Sequence, residues 1–235
     1  PVYWIMLEDV PVMELMAHRI VWTLVAVMTF QILRGRLAGL KSTWQSQANR
    51  SAHLRGGAML TLNWGFFVWA LLNGRVIEAS LGYFLVPLVN AALGRVIFGE
   101  RLDTLRKVAL LFAALGVALG IAGSWCTYGV GRKQSNASAI NGLALETTFM
   151  LPAALIYLAW LGYHGKATFG QVSATIDLTI MGTGVISMVP LVLFAYSTQR
   201  LTFTTLGLLQ YAAPTFQFLL GWLIFGESFA GIRVI

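Results

Sequence analysis

An ionisable side chain inside a long apolar run is costly, and where one occurs it faces protein or a water-filled cavity. Glu14, His18 and Arg19 stand at the start of such a run. Glu14 and His18 are four apart, so a helix puts them on one face, and an imidazole beside a carboxylate can hold and release a proton. Two readings stay open: a proton- or substrate-coupled cluster at the outer mouth of a cavity, or a static pair that neutralises Arg19 or tethers the helix at the interface. Glu146 opens a later run in the same manner, with Pro152 six residues on. It is either a symmetric counterpart of Glu14 or a carboxylate favoured by the positive end of a helix.

Amides and aromatic rings form a second set. Asn63 and Trp64 begin a polar strip, with Trp69 further along. Tyr83, Pro87 and Asn90 follow at i, i+4 and i+7, one face of a helix. Proline lacks the amide hydrogen that would pair with the carbonyl four residues back, so Pro87 frees the Tyr83 carbonyl and supplies a pivot. Gln210, Pro214 and Gln217 repeat the spacing, with Tyr211 next door. Paired prolines, each followed by an amide (Asn90, Gln217), define the expected pocket; polar contacts between helices, worth about 0.6–2 kcal/mol each, are the alternative.

These side chains sit in an unusually apolar chain. Of 235 residues, 57% are hydrophobic and 11% charged, with mean hydropathy +0.74. A soluble domain has about 25% charged residues, so the composition is that of a polytopic helical membrane protein. The net charge of +7 comes from basic residues in connectors beside apolar runs, which suits anionic lipid rather than nucleic acid. A lone Cys126 excludes a disulfide framework. GLALETT and GTGVIS lack phosphate-loop spacing, and His18, His53 and His164 are dispersed, so no metal, no cofactor and no enzyme activity is expected. A membrane enzyme would need a nucleophile beside Glu14 and His18, and none is evident; a channel would need a pore loop, and none is evident either.

Apolar runs occupy residues 16–33, 56–73, 79–98, 108–129, 142–162, 178–197 and 205–225, with 1–7 as a stub of a further helix. At about 1.5 Å per residue each crosses a ~30 Å hydrocarbon layer. Arg34, Arg36, Lys41, Arg50 and Arg55 place their connector inside, as do Arg101, Arg106 and Lys107; the turn at Arg75 goes outside. Arg132, Lys133 and Arg200 also point inside, with 164–166 outside. Only 24 residues separate Lys107 from Arg132, too few for two crossings. Either the charge rule fails there, or the segment is a re-entrant hairpin, or part of a helical hairpin is absent.

The chain repeats itself. PLVNAALGRVIFGE at 87–100 matches PTFQFLLGWLIFGE at 214–227 with an offset of 127, and Leu81-Gly82 and Arg75 match Leu206-Gly207 and Arg200 at 125. Arg75 outside against Arg200 inside makes the matched helices antiparallel, an inverted-topology repeat of the kind secondary transporters use for alternating access. Glu100 and Glu227 end the matched FGE turns and read as structural; Arg95 snorkels to headgroups. Gly116, Gly120 and Gly123, with Gly182 and Gly184, read as close helix packing.

VPVMELMAHRIVW (10–22), NWGFFVWALLNGRVIEASLGYFLVPLVNAALGRVIFGERL (63–102), YGVGRK (128–133), ETTFMLPAALIYL (146–158) and TTLGLLQYAAPTFQFLLG (204–221) resemble the RarD branch of the EamA, or drug/metabolite, transporters over nearly the whole chain. The resemblance implies an all-α polytopic membrane protein with a 5+5 inverted-repeat helix fold. It is incomplete here, with residues 1–125 as the first repeat and 126–235 as the second. Against the family pattern most of helix one, all of helix ten and about one helix around 115–127 are lacking. ALGIAGSWCTYGVGRK is then a candidate sixth helix, Ile5 replaces a family lysine, and TTL at 204–206 replaces STL. The resemblance further implies a multi-pass permease of the bacterial inner membrane. It would move a small organic metabolite or amphipathic drug, with proton coupling through Glu14 or Glu146. Expected partners are membrane lipids and a small-molecule substrate, with a homodimer left open.

Overall fold

The computed structural model describes Tyr3, Met6, Leu7 and residues 9–72, 76–99 and 118–216, and no strand occurs among them. The helices are α1 (Val12–Leu33), α2 (Leu37–Gln45), α3 (Gln47–Leu72), α4 (Val76–Phe98), α5 (Ala118–Gln134), α6 (Ala139–Tyr163), α7 (Ala174–Thr198) and α8 (Phe203–Gln210). Their ends follow local chemistry. Ser138, Ser173 and Thr202 cap α6, α7 and α8, each side chain accepting the backbone N–H three residues on. Gly35 and Gly165, both at φ 62°, stop α1 and α6. The left-handed turn lets Arg36 and Lys166 donate their N–H groups back to Gln31 and Leu161.

Helix directions follow from contacts at the ends. Glu14, early in α1, meets Thr168 and Phe169 just before α7, and Gln31, late in α1, hydrogen-bonds Asn141 at the start of α6. Lys133 at the end of α5 donates to the carbonyls of Thr198 and Leu201. Its ammonium lies 5.2 Å from the ring of Phe98, and Phe98 packs on Phe203. One end of the bundle therefore gathers the α1–α3 connection, the end of α4, the α5–α6 connection and the α7–α8 connection. Arg34, Arg36, Lys41, Arg132, Lys133 and Arg200 sit there, so this is the basic end. Because α4 and α5 both finish at the basic end, α5 starts at the opposite one. Of the run read at 108–129 the described part is a helix that extends over 118–134, with Arg132 and Lys133 in its last turn; residues 108–117 lie outside the described residues.

α1 packs against α6 and α7, α5 against α3 and α4, and α8 against α4, with α3 also touching α6. Val27, Leu60, Trp64, Tyr128, Leu143 and Leu191 form the shared core; Leu7 and Val10 pack with Leu15 and Ile180. α1, α6 and α7 are each long and apolar enough to cross a membrane. Ile156, Leu178, Val185 and Leu193 on the outside are exposed, as lipid-facing residues are. Between helices in lipid, close packing does the work that water-driven burial does in solution. Accordingly a Cβ on Gly184 would run into the backbone of Trp22, and one on Gly182 into the Tyr3 hydroxyl. At Gly123 a Cβ would meet nothing within 4 Å, so the expected glycine ladder does not extend there; Gly116 lies outside the described residues.

Other boundaries shift as well. The span read at 56–73 is a helix from Gln47, and α2 occupies part of the expected connector, Trp44 stacking on Phe149 at 5.5 Å. Hydropathy hid this because the first turns of α3 carry Arg50, His53 and Arg55. The run 205–225 is described to 216 and turns at Tyr211. Pro214 cannot donate to the Gln210 carbonyl, so the ladder lapses there; Pro87, by contrast, sits inside a continuous α4.

Candidate functional site

The predicted polar residues of the first half converge in the interior. Asn63 on α3 accepts from the Tyr83 hydroxyl at 3.3 Å and donates to the Ser124 hydroxyl at 3.3 Å, tying α3, α4 and α5 together. Arg19 reaches in from α1, its guanidinium 4.0 Å from the ring centroid of Trp64, and donates to the Ser187 hydroxyl of α7 at 2.6 Å. A cation over an indole face is electrostatically favourable when shielded from water. Trp69 lies one turn beyond Trp64 in α3; its side chain is outside the described residues.

The second predicted group meets at the crossing of α4 and α8. Asn90 Nδ2 donates to Gln210 Oε1 at 2.9 Å, and the rings of Phe84 and Tyr211 face each other at 6.5 Å. Gly207 permits the approach: a Cβ there would lie 2.9 Å from the Pro87 carbonyl oxygen and 3.1 Å from Asn90 Cβ. Pro214 is buried. Asn90 and Gln217 are matched positions counted from the prolines; the hydrogen-bond partner of Asn90 among the described residues is Gln210. Gln217, Glu100 and Glu227 lie outside the described residues, as do Arg75 and the flank 101–107. Arg95 is exposed in the last turn of α4.

Glu14 is fully buried, and its Oε1 accepts the N–H groups of Thr168 and Phe169 at 2.7 and 3.0 Å. His18 Nε2 is 3.8 Å from that oxygen and its ring packs on Phe169 at 4.6 Å. The pair ties α1 to the connection entering α7.

Glu146 has a richer surrounding, one that sequence spacing did not reveal. His53 Nδ1 stands 2.9 Å from its Oε1, the Tyr128 hydroxyl donates to Oε2 at 3.0 Å, and Arg132 Nη1 lies 3.4 Å from Oε1. His53 Nε2 in turn meets the Ser135 hydroxyl at 2.9 Å. His53, Arg132 and Glu146 are 1%, 2% and 0% exposed. Glycines open the space: a Cβ on Gly142 would collide with the Arg132 guanidinium and the His53 ring, and one on Gly56 would lie 3.1 Å from Glu146 Oε1. His53 stands apart from the other histidines, as its sequence position suggests, yet it has buried partners. It joins α3 to α5 and α6, and the glycines at 56 and 142 are the signal that the sequence offered.

Ser135, His53 and Glu146 have the order of a nucleophile, base and orienting carboxylate. Arg132 also approaches the carboxylate, at 3.4 Å, and the buried Ser135 oxygen accepts the Ala137 N–H at 3.1 Å.

Known proteins bear on the whole chain. The EamA-like transporter family matches it at residues 1–122 and again at 117–235. The chain is similar to Protein RarD of Streptomyces exfoliatus, 36% identical over 241 residues that cover 97% of this chain and 76% of that protein. An uncharacterized transporter of Vibrio cholerae is 34% identical over 248 residues, 100% of this chain and 82% of its own length. A solved crystal structure shares the fold with TM-score 0.69 at 18% identity, over 98% of this chain and 85% of that one.

Proposed function

The chain belongs to the RarD branch of the EamA-like transporter family, and we propose that it is a multi-pass secondary transporter of the bacterial inner membrane, moving a small organic metabolite or amphipathic drug by alternating access. The observation that carries this is the crossing of α4 and α8, which belong to the two repeated segments. Phe84 and Tyr211 approach across the α4–α8 crossing, their ring centroids 6.5 Å apart. α4 runs toward the basic end and α8 runs away from it, which supports an inverted pair. The doubled family match supports two units within the chain.

In this reading Asn63, Trp64, Tyr83, Asn90, Gln210 and Tyr211 line the substrate path, with Trp69 and Gln217 as further candidates. Pro87 and Pro214 are the pivots. Glu14 anchors α1 through two backbone amides. Of the two carboxylates, Glu146, which meets the His53 imidazole at 2.9 Å, is the one assigned to proton exchange. Vesicles containing the protein and loaded with labelled small metabolites, with ethidium as an amphipathic probe, test the proposal. Flux above that of empty vesicles is expected, falling at least about tenfold in Asn90→Ala and Gln210→Ala. Flux unchanged by both substitutions sinks the pocket assignment.

A further inference from the structure

The Asn90–Gln210 contact is incomplete. Each side-chain amide has a carbonyl oxygen and an NH2 group, and only Asn90 Nδ2 and Gln210 Oε1 meet, at 2.9 Å. Asn90 Oδ1 and Gln210 Nε2 are both buried and have no hydrogen-bond partner, and Asn90 is 1% exposed. An acceptor and a donor thus remain unmet, one on each partner of a single contact, at a free-energy cost that a ligand bonding both would recover. The pattern does not depend on which way the amides are oriented. Turning one alone sets oxygen against oxygen or nitrogen against nitrogen. Turning both restores the contact and again leaves one donor and one acceptor.

We propose that this pair selects a neutral ligand group presenting a donor and an acceptor together, namely a carboxamide or peptide-type amide on an apolar body. The assignment rests on the transport-site reading given above and adds the substrate class. A carboxylate would bring its oxygens against Asn90 Oδ1, and an ammonium would bring its hydrogens against Gln210 Nε2; each ion satisfies one atom and opposes the other. An amide satisfies both. Phe84 and Tyr211 beside the pair, rings 6.5 Å apart, suit an aromatic or aliphatic remainder. One turn back, Pro87 leaves the Tyr83 carbonyl without its helical donor, a further acceptor on the same face.

Binding of phenylacetamide and of methyl phenylacetate to the detergent-purified protein, followed by tryptophan fluorescence, tests the proposal. The two share ring and carbonyl, and only the amide donates. The amide is expected to bind at least about tenfold more tightly, the weight of one well-made hydrogen bond to a buried group. Asn90→Leu and Asn90→Ala remove the acceptor that only the amide uses and should each bring the ratio close to one, whereas Gln210→Leu removes the donor to the carbonyl that both ligands carry and should weaken both alike, keeping the ratio. Equal affinities in the unmodified protein, as an ordered water bridging the two atoms would give, overturn the proposal. So does absence of saturable binding by either ligand, or a preference that survives in Asn90→Leu and Asn90→Ala. A normal preference with no flux of the amide in vesicles leaves the recognition pair standing and removes the transport reading instead.

Discussion

Nδ1 of His53 and Oε1 of Glu146 stand 2.9 Å apart although 93 residues separate them. An ionised carboxylate only accepts, so Nδ1 donates to it, and Nε2 stands 2.9 Å from the Ser135 hydroxyl. The contact clamps α3 to α6 at the basic end, and Arg132 on α5 closes it.

The losses from removing members of this buried group should not add. Glu146→Ala strands the Arg132 guanidinium without its carboxylate and is expected to destabilise by about 3–5 kcal/mol. Glu146→Gln keeps an acceptor and should cost less. The Glu146→Ala, Arg132→Ala double variant should lose clearly less than the sum of the singles. Thermal or SDS unfolding in detergent provides the cycle; strictly additive losses would show that the two side chains do not act as a pair.

Glycines at 142 and 123 should respond in opposite ways to the same added methyl. Gly142→Ala pushes into Arg132 and His53 and should destabilise by about 1–3 kcal/mol. Gly123→Ala enters open space within a helix and should be neutral or stabilising by up to about 1 kcal/mol, as alanine is a better helix former. Melting temperatures of the two variants decide the matter, and a tolerated Gly142→Ala would contradict the tight packing around Glu146.

Glu14 acts on the connection at 168–169. Glu14→Ala removes the acceptor of two backbone N–H groups and should speed amide hydrogen exchange at Thr168 and Phe169, leaving Ser135 and Ala137 unchanged. Unaltered exchange at 168–169 would return Glu14 to the list of coupling groups.

Topology can be read by thiol labelling in a Cys126→Ser background. Cysteines at Lys41, Asn136 and Arg200, all exposed at the basic end, should label only from the cytoplasmic side, and one at Lys166 only from the outside. Lys41 and Asn136 labelling from opposite sides would break the bundle as described.

Much of this architecture is written locally. The length and hydropathy of α1, α6 and α7 follow from composition, and the Ser138, Ser173 and Thr202 caps from residue type. The repeated proline segments marked Asn90 and Gln210 before any contact was known. A basic end is also legible, since Arg34, Lys41, Arg132 and Arg200 lie in or beside connectors. The early start of α3 was hidden, because Arg50, His53 and Arg55 lower its hydropathy while the fold gives His53 a buried partner. Only the tertiary structure decided which polar groups meet. Asn90 pairs with Gln210 because the Gly207–Pro87 crossing sets the offset of two helices, and His53 finds Glu146 because Gly56 and Gly142 let three helices close on one carboxylate. Periodicity describes one helix at a time; the register between helices depends on contacts that sequence separation does not encode.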